Sequence, residues 1–204
     1  MNWLAHILLS KKSIDYQLGN ILADPLKGKC WPDAHPSVKE GFAMHRRIDA
    51  FTDTNEYFLK SKSRLGKKGY LKGVIVDMIY DHLLLKHWDE FSAIDINTFI
   101  NQFYHHATQT IIHYPDEAQH FIERIIQSKV LTSYATVEGL ALSFQRIDYR
   151  LSKRILAKES ASDYTSVIEG NMLLIEEDFI QFFPQMIAFF KYNSQGGTEE
   201  YWLR

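Results

Sequence analysis

The chain has 204 residues, a formal net charge of −2 at pH 7 and a sequence pI of about 6.5. This length favours one domain, and a hydrophobic share of 46% excludes a disordered chain. The nearly neutral charge argues against a general nucleic-acid-binding protein, because such proteins usually carry a strongly basic face.

Apolar residues recur at helical spacing along the chain, and alternating strand patterns are scarce, so we predict an all-α fold. The expected architecture is a single-domain helical bundle over residues 1–204 with about seven to nine helices. Pro25 is expected to end the second helix, and Pro184 to kink the last one. The predicted helices cover residues 2–9, 13–23, 37–53, 70–89, 96–112, 116–128, 133–157 and 163–191.

The first two predicted helices each carry polar residues one turn apart in an otherwise apolar segment. Asn2 and His6 share one face of the first helix, and Asn20 and Asp24 share one face of the second. A buried polar group must find a partner, so these residues could complete a functional site. Each alone is more often a helix cap or a hydrogen bond in the core.

The third predicted helix carries the strongest local pattern. His45, Asp49 and Asp53 follow one another at intervals of four residues and therefore line one narrow stripe. An imidazole and two carboxylates that converge from a rigid helix are what a metal site requires. The alternative interpretation is a solvated helix face on which His45 and Asp49 form an ordinary helical pair.

A second carboxylate pair, Asp77 and Asp81, lies on an apolar stripe of the next long helix. Two neighbouring buried carboxylates repel each other unless a cation neutralises them, and a divalent metal would do so. His82 could enter the same site or orient a ligand. The alternative is a set of buried bridges to the available arginines, which are Arg46, Arg47 and Arg64.

Three arginines, Arg146, Arg150 and Arg154, recur at four-residue intervals in the predicted helix 133–157. One interpretation is the exposed basic face of an amphipathic helix. The other is a binding surface for phosphate or for an acidic partner protein.

Taken together, these motifs resemble the acyl carrier protein phosphodiesterase family. The resemblance is carried, in order and spacing, by NWLAH at 2–6, LGNILAD at 18–24, HRRIDAFTD at 45–53, the DxxxDH of 77–82 and HW at 87–88. It implies an all-α fold like that of the HD phosphohydrolases. It also implies removal of the 4′-phosphopantetheine arm from holo acyl carrier protein, with manganese or a similar divalent ion as cofactor.

The sequence departs from the usual HD pattern at one point. That pattern contains an adjacent His-Asp pair, whereas this chain has the reverse order, Asp81-His82. The ligands of the superfamily therefore cannot be transferred position by position. From helical geometry we assign the metal ligands to Asp24, His45, Asp77 and Asp81. Such a set, rich in carboxylate and free of thiolate, suits Mn²⁺, with Mg²⁺ or Fe²⁺ as alternatives.

The remaining candidate residues receive roles in catalysis or in partner binding. Asp49 would orient His45 or activate the attacking water, and Arg46 or Arg47 would neutralise phosphate oxygens. His6 and His82 are candidates for ligand or proton donor. The expected partner is acyl carrier protein, bound through Arg146, Arg150 and Arg154.

Two rival functions stay open at this point. One is an HD-type phosphohydrolase that acts on a nucleotide and needs no carrier protein. The other is a non-catalytic helical protein that binds an acidic partner and needs no metal.

The compartment is predicted from what the sequence contains. The single cysteine, Cys30, allows no intramolecular disulfide, which suits a reducing compartment. The apolar start of the chain is too short to span a membrane and has no basic segment before it. No run of about 18 uninterrupted apolar residues occurs. We therefore predict a cytoplasmic protein that does not enter a membrane.

Overall fold

The computed structural model describes residues 1–193 and 201–203, without the side chains of residues 192 and 193. The predicted all-α class is confirmed, because the only β pairing in these ranges is an isolated bridge between Ser92 and Leu203. The described part has more α-helices than predicted, twelve instead of seven to nine, and some span a single turn. None of its helices is long and apolar enough to cross a membrane.

The helices are numbered in chain order. They are α1 (Trp3–Leu8), α2 (Ile14–Leu22), α3 (Pro36–Thr54), α4 (Glu56–Arg64), α5 (Lys72–Lys86), α6 (Trp88–Phe91), α7 (Ile96–Thr110), α8 (Asp116–Gln127), α9 (Val130–Ser133), α10 (Val137–Asp148), α11 (Lys153–Leu156) and α12 (Tyr164–Asn193), with a 3₁₀ turn at Ile111–His113. The helix α4 lies outside the predicted helices. It begins where the Asn55 side chain accepts a hydrogen bond from the Tyr57 N–H, at 2.9 Å.

The prediction of one helix over residues 133–157 is wrong. The structure has two helices there, α10 and α11, separated by residues 149–152. Ser152 caps the second by accepting a hydrogen bond from the Ile155 N–H. A serine that caps a helix in this way adopts an extended backbone, which interrupts the preceding helix.

Two glycines allow α2 and α3 to approach each other closely. A Cβ atom on Gly19 would lie 2.2 Å from the Val38 carbonyl oxygen, and one on Gly41 would lie 2.3 Å from that of Tyr16. Any side chain at either position would therefore push the two helices apart. This contact matters for the site, because Asn20 lies on α2 beside Gly19, and His45 lies on α3 one turn beyond Gly41.

An aromatic core supports the other side of the bundle. The Phe179 and Phe182 rings of α12 lie 5.2 and 5.1 Å from the ring of Tyr80 on α5. Phe182 also contacts Phe58 of α4 and Phe51 of α3. The helix α12 continues through Pro184 while making these contacts. These packed rings hold α3 and α5, two of the helices that carry candidate site residues, on one core.

Candidate metal centre

Three polar side chains from two helices, α1 and α3, lie close together. His6 of α1 and His45 and Asp49 of α3 each offer a ligand atom, and these atoms lie within 4.8 Å of one another. Both histidines are buried, and Asp49 is partly exposed. We call these three residues the metal group, because no other set of His, Cys, Asp and Glu in the described part of the chain meets this geometry.

One helical turn separates His45 from Asp49, as the stripe predicts. His45 Nε2 lies 3.1 Å from Asp49 Oδ2 and 3.1 Å from Oδ1 of Asp24, just beyond the end of α2. The His6 Nε2 atom is 3.5 Å from Asp49 Oδ1. Asp49 therefore contacts both imidazoles, while Asp53, one turn further along α3, is exposed and lies outside the metal group.

The carboxylates set the charge of the His45 ring. Burial alone would lower the pKa of His45, but the hydrogen bonds and charges of Asp24 and Asp49 outweigh it and raise this pKa to about 9. Burial also opposes ionisation of Asp49, yet the two histidines hold the pKa of its carboxyl well below the usual range. Asp24 and Asp49 thus place negative charge beside His45, which favours a cation there, either a proton on the ring or a metal ion that replaces it.

Asn20 fixes the orientation of the other ring. Its amide nitrogen donates to the His6 carbonyl oxygen and to Ser10 Oγ, both at 2.9 Å, so its Oδ1 atom must face His6 Nδ1, at 2.7 Å. Because Oδ1 can only accept, Nδ1 carries the proton. Burial lowers the pKa of His6, so the second nitrogen, Nε2, presents a lone pair.

The residues present fit a divalent ion. The His6 Nε2 lone pair faces the Met1 carbonyl oxygen at 3.0 Å and Asp49 Oδ1 at 3.5 Å, so three acceptor atoms converge. A divalent cation would stabilise this arrangement. Ligand atoms on one such ion, with bonds of about 2.1 Å, lie about 3.0–3.4 Å apart. The 3.1 Å from His45 Nε2 to Asp49 Oδ2 falls in this range, and the 3.5 Å from His6 Nε2 to Asp49 Oδ1 lies just above it. A partner that fixes the remote nitrogen of a histidine ligand, as Asn20 does, is also usual at metal sites.

The pair Asp77 and Asp81 lies outside the metal group, and both carboxylates have other partners. The fully buried Asp81 accepts the N–H groups of Leu4 at 2.9 Å and Ala5 at 3.3 Å, at the start of α1. Asp77 Oδ1 lies 2.7 Å from the Met1 ammonium group. Burial raises the pKa of Asp81 to about 7, although both N–H donors act against this. A metal is therefore not required to account for the two carboxylates, and Asp81 instead anchors the helix that carries His6.

Three further candidates also lie outside the metal group. His82 Nδ1 donates to the Tyr134 carbonyl oxygen at 2.6 Å, which occupies that nitrogen. Arg46 and Arg47 are exposed on α3 beside His45. The Arg47 guanidinium lies over the Phe190 ring, 5.3 Å from its centre. Neither arginine forms a salt bridge within the described residues, so both are free to meet an anion.

The three arginines of the predicted basic stripe do not share one helix face, because that helix is divided. Arg146 belongs to the last turn of α10, Arg150 to the turn that follows, and Arg154 to α11. Arg146 and Arg150 line a pocket of about 630 Å³, together with Arg124 of α8, whereas Arg154 does not. We call this cavity the arginine pocket. The sequence carries no periodic signal for the participation of Arg124, since it comes from a distant helix.

Comparisons with known proteins identify the family of this chain. A family model described as acyl carrier protein phosphodiesterase matches residues 1–186. The acyl carrier protein phosphodiesterase of Yersinia pestis is 30% identical over 198 residues, which cover 92% of this chain and 96% of that protein. Those of Serratia proteamaculans (strain 568) and Salmonella agona (strain SL483) are each 27% identical with the same coverage. No solved structure matches significantly, so the HD-like arrangement stays a prediction. The chain belongs to the acyl carrier protein phosphodiesterase family.

Proposed function

We propose that this protein is a metal-dependent phosphodiesterase that removes the 4′-phosphopantetheine arm from holo acyl carrier protein. The observation that carries the proposal is the convergence of His6, His45 and Asp49 in a chain of this family. The products would be apo carrier protein, with its serine hydroxyl restored, and free 4′-phosphopantetheine.

In this proposal His6, His45 and Asp49 hold the ion, with Asp24 as a further ligand 3.1 Å from His45 Nε2. We leave Asp77 and Asp81 out of the ligand set, because each is engaged at the start of α1. Oxygen and nitrogen ligands without thiolate suit Mn²⁺, and also Mg²⁺ or Fe²⁺. When bound, such an ion acidifies water and neutralises phosphate charge.

The protein side chains orient the imidazole ligands, contact the substrate and neutralise the phosphate charge. Asp49 contacts both imidazoles and keeps them oriented. The Asp24 side chain is 76% exposed, against 41% for Asp49, so Asp24 is the carboxylate that meets substrate and water. Arg46 and Arg47, exposed on the same helix, neutralise the non-bridging phosphate oxygens.

The reaction makes one bond and breaks one. The oxygen of water bonds to phosphorus, and the bond from phosphorus to the carrier-protein serine oxygen breaks. The attacking water gives up a proton, for which we propose the exposed carboxylate of Asp24 as the acceptor, and the serine oxygen takes one up as it leaves. No covalent bond to the protein is needed.

The proposal also covers partner and compartment. The carrier protein is acidic and would approach the cationic side formed by Arg146 and Arg150, which complements its charge. A cytoplasmic location, where Cys30 stays reduced, is part of the same proposal.

The test is incubation of the purified protein and Mn²⁺ with holo acyl carrier protein, followed by mass spectrometry of the carrier protein. We expect the mass to fall to that of the apo form, and free 4′-phosphopantetheine to appear. His45→Ala serves as the inactive comparison. A carrier protein that keeps its arm under Mn²⁺, Mg²⁺ and Fe²⁺ would overturn the proposal.

A further inference from the structure

The arginine pocket begins one helical turn from the metal group. Asn2 and Trp3, at the start of α1, line the pocket, and His6 lies four residues after Asn2, about 6 Å along the helix axis. The residue before them, Met1, places its carbonyl oxygen 3.0 Å from His6 Nε2. A substrate group that enters the pocket past α1 therefore starts beside the metal group.

A second helix also links the pocket to the start of the chain. Val74 and Met78 of α5 line the pocket, and Asp77, which lies between them, pairs with the Met1 ammonium group at 2.7 Å. The two walls of the pocket that are nearest to the metal group therefore come from α1 and α5. The remaining lining includes residues of α8 and α10.

The lining of the pocket favours an apolar ligand that is attached to an anionic molecule. Its apolar walls include Trp3, Phe121, Ile125 and Ile147, and its volume of about 630 Å³ lies within the range of ligand pockets. Val74, on α5, lines the pocket and is 43% exposed.

The charge at the pocket has the sign that an acidic carrier protein requires. Arg124, Arg146 and Arg150 form no salt bridge with any carboxylate of the described residues. Three uncompensated guanidinium groups attract anions. An anionic protein that presents an apolar chain on a flexible arm satisfies both the charge and the lining.

We infer that the arginine pocket receives the end of the pantetheine arm together with a fatty acyl chain carried on it, and so sets the acyl preference of the enzyme. The inference rests on the proposed function. Trp3, Val74 and Ile147 would be the residues that determine specificity, since they contact the chain and not the phosphorus. Filling the pocket would therefore lower activity toward a long-chain acyl substrate more than activity toward the unacylated arm.

The first experiment compares two substrates in three proteins. Val74→Trp fills the pocket from an exposed helical position, and Leu173→Trp, at a site on α12 that is 77% exposed and outside the pocket, is the matched control. We expect Val74→Trp to lower kcat/KM for long-chain acyl carrier protein, relative to unacylated holo carrier protein, at least about tenfold, or about 1.4 kcal/mol. The Leu173→Trp ratio should equal that of the wild type. An unchanged ratio in Val74→Trp would overturn the inference.

A second experiment needs no catalysis. Calorimetric titration of the chelator-treated protein with S-acyl pantetheine, which has no phosphodiester, measures the pocket alone. We expect the wild type to bind long-chain S-acyl pantetheine more tightly than pantetheine, and Val74→Trp to lose this difference. Equal binding of both probes by the wild type would contradict the inference. If acyl-dependent binding is found but no arm is ever released, the proposed function fails while the pocket stands. If the arm is released but binding does not depend on the acyl chain, the proposed function stands and the inference about the pocket fails.

Discussion

The imidazole rings of His6 and His45 are stacked, with 4.3 Å between ring centres and 23° between planes, although one residue comes from α1 and the other from α3. Two stacked imidazolium ions would repel each other, so the stack excludes a state in which both rings are charged and buried together. Asp49 contacts the Nε2 atoms of both rings, at 3.5 and 3.1 Å, which directs them toward the same point.

The first prediction concerns Asn20, which fixes the tautomer of His6. Asn20→Ala removes the acceptor of the His6 Nδ1 proton and leaves the ring free to turn. We expect Mn²⁺ affinity to fall about 10- to 100-fold, as is usual when the partner of a histidine ligand is lost. Calorimetric titration measures the affinity. Ser10→Ala, which breaks another bond of the same network without touching the ring, should retain nearly all of it. Equal losses in both variants would contradict the assigned role.

The second prediction separates two aspartates of the same stripe. Asp49→Asn removes the charge that both histidines contact, and we expect arm release to slow by at least about 100-fold, or about 2.7 kcal/mol in the barrier. Asp53→Asn makes the same chemical change one turn away at an exposed position and should leave the rate unaltered. Steady-state assays with holo carrier protein measure both. A similar loss in Asp53→Asn would show that the stripe acts as a whole.

The third prediction distinguishes the arginines that line the pocket from the one that does not. Arg150→Glu reverses a charge at the proposed carrier-protein surface, so we expect KM for the carrier protein to rise about tenfold or more, with a smaller change in kcat. Arg154→Glu is the matched control, because Arg154 lies on α11 outside the pocket. Added salt should weaken the wild type more than Arg150→Glu. If Arg154→Glu raised KM as much, net charge and not the pocket would govern binding.

The fourth prediction concerns stability and pH. Burial would raise the pKa of Asp148, but bonds donated by Ser162, Ala161 and Ser160 outweigh it and lower this pKa below the usual value. The unfolded chain then holds the proton more tightly than the folded one. The stabilisation is therefore present above the unfolded pKa, about 4, and is lost as the pH falls through the folded value.

The variant that tests this is Asp148→Asn. We expect it to lose about 1 kcal/mol of unfolding free energy near neutral pH, and the gap to the wild type to narrow at about pH 3. Urea unfolding at both pH values measures the difference. Asp163→Asn, which removes an exposed neighbouring carboxylate, should have the same free energy of unfolding as the wild type at both pH values. A difference in unfolding free energy between Asp148→Asn and the wild type that does not change with pH would contradict the role assigned to Asp148.

The sequence predicts the parts of the site that lie within one helix. The interval between His45 and Asp49 is a property of the helix itself, so their convergence follows from four-residue spacing. The position of His6 beside them depends on two long-range contacts that no periodicity reveals. These are the close approach of α2 and α3 at Gly19 and Gly41, and the anchoring of α1 by Asp81 across 76 residues of sequence.

The same distinction explains what differs from expectation. The placement of Asp77 and Asp81 on an apolar stripe is visible in the sequence, but their partners, an ammonium group and two backbone N–H groups, come from the start of the chain. The arginine stripe depends on an unbroken helix, which the cap at Ser152 interrupts. Local patterns therefore identify the chemically unusual residues, and tertiary packing decides which of them meet.

The most direct measurement of the central claim is arm release as a function of added Mn²⁺ after chelator treatment. We expect the chelated wild type to leave holo carrier protein intact, and activity to return in proportion to the metal bound, with one saturating step. His45→Ala should bind the ion weakly and stay inactive at every concentration that saturates the wild type. Full activity of the chelated wild type, or metal-restored activity in His45→Ala, would contradict the assignment of the chemistry to the metal group.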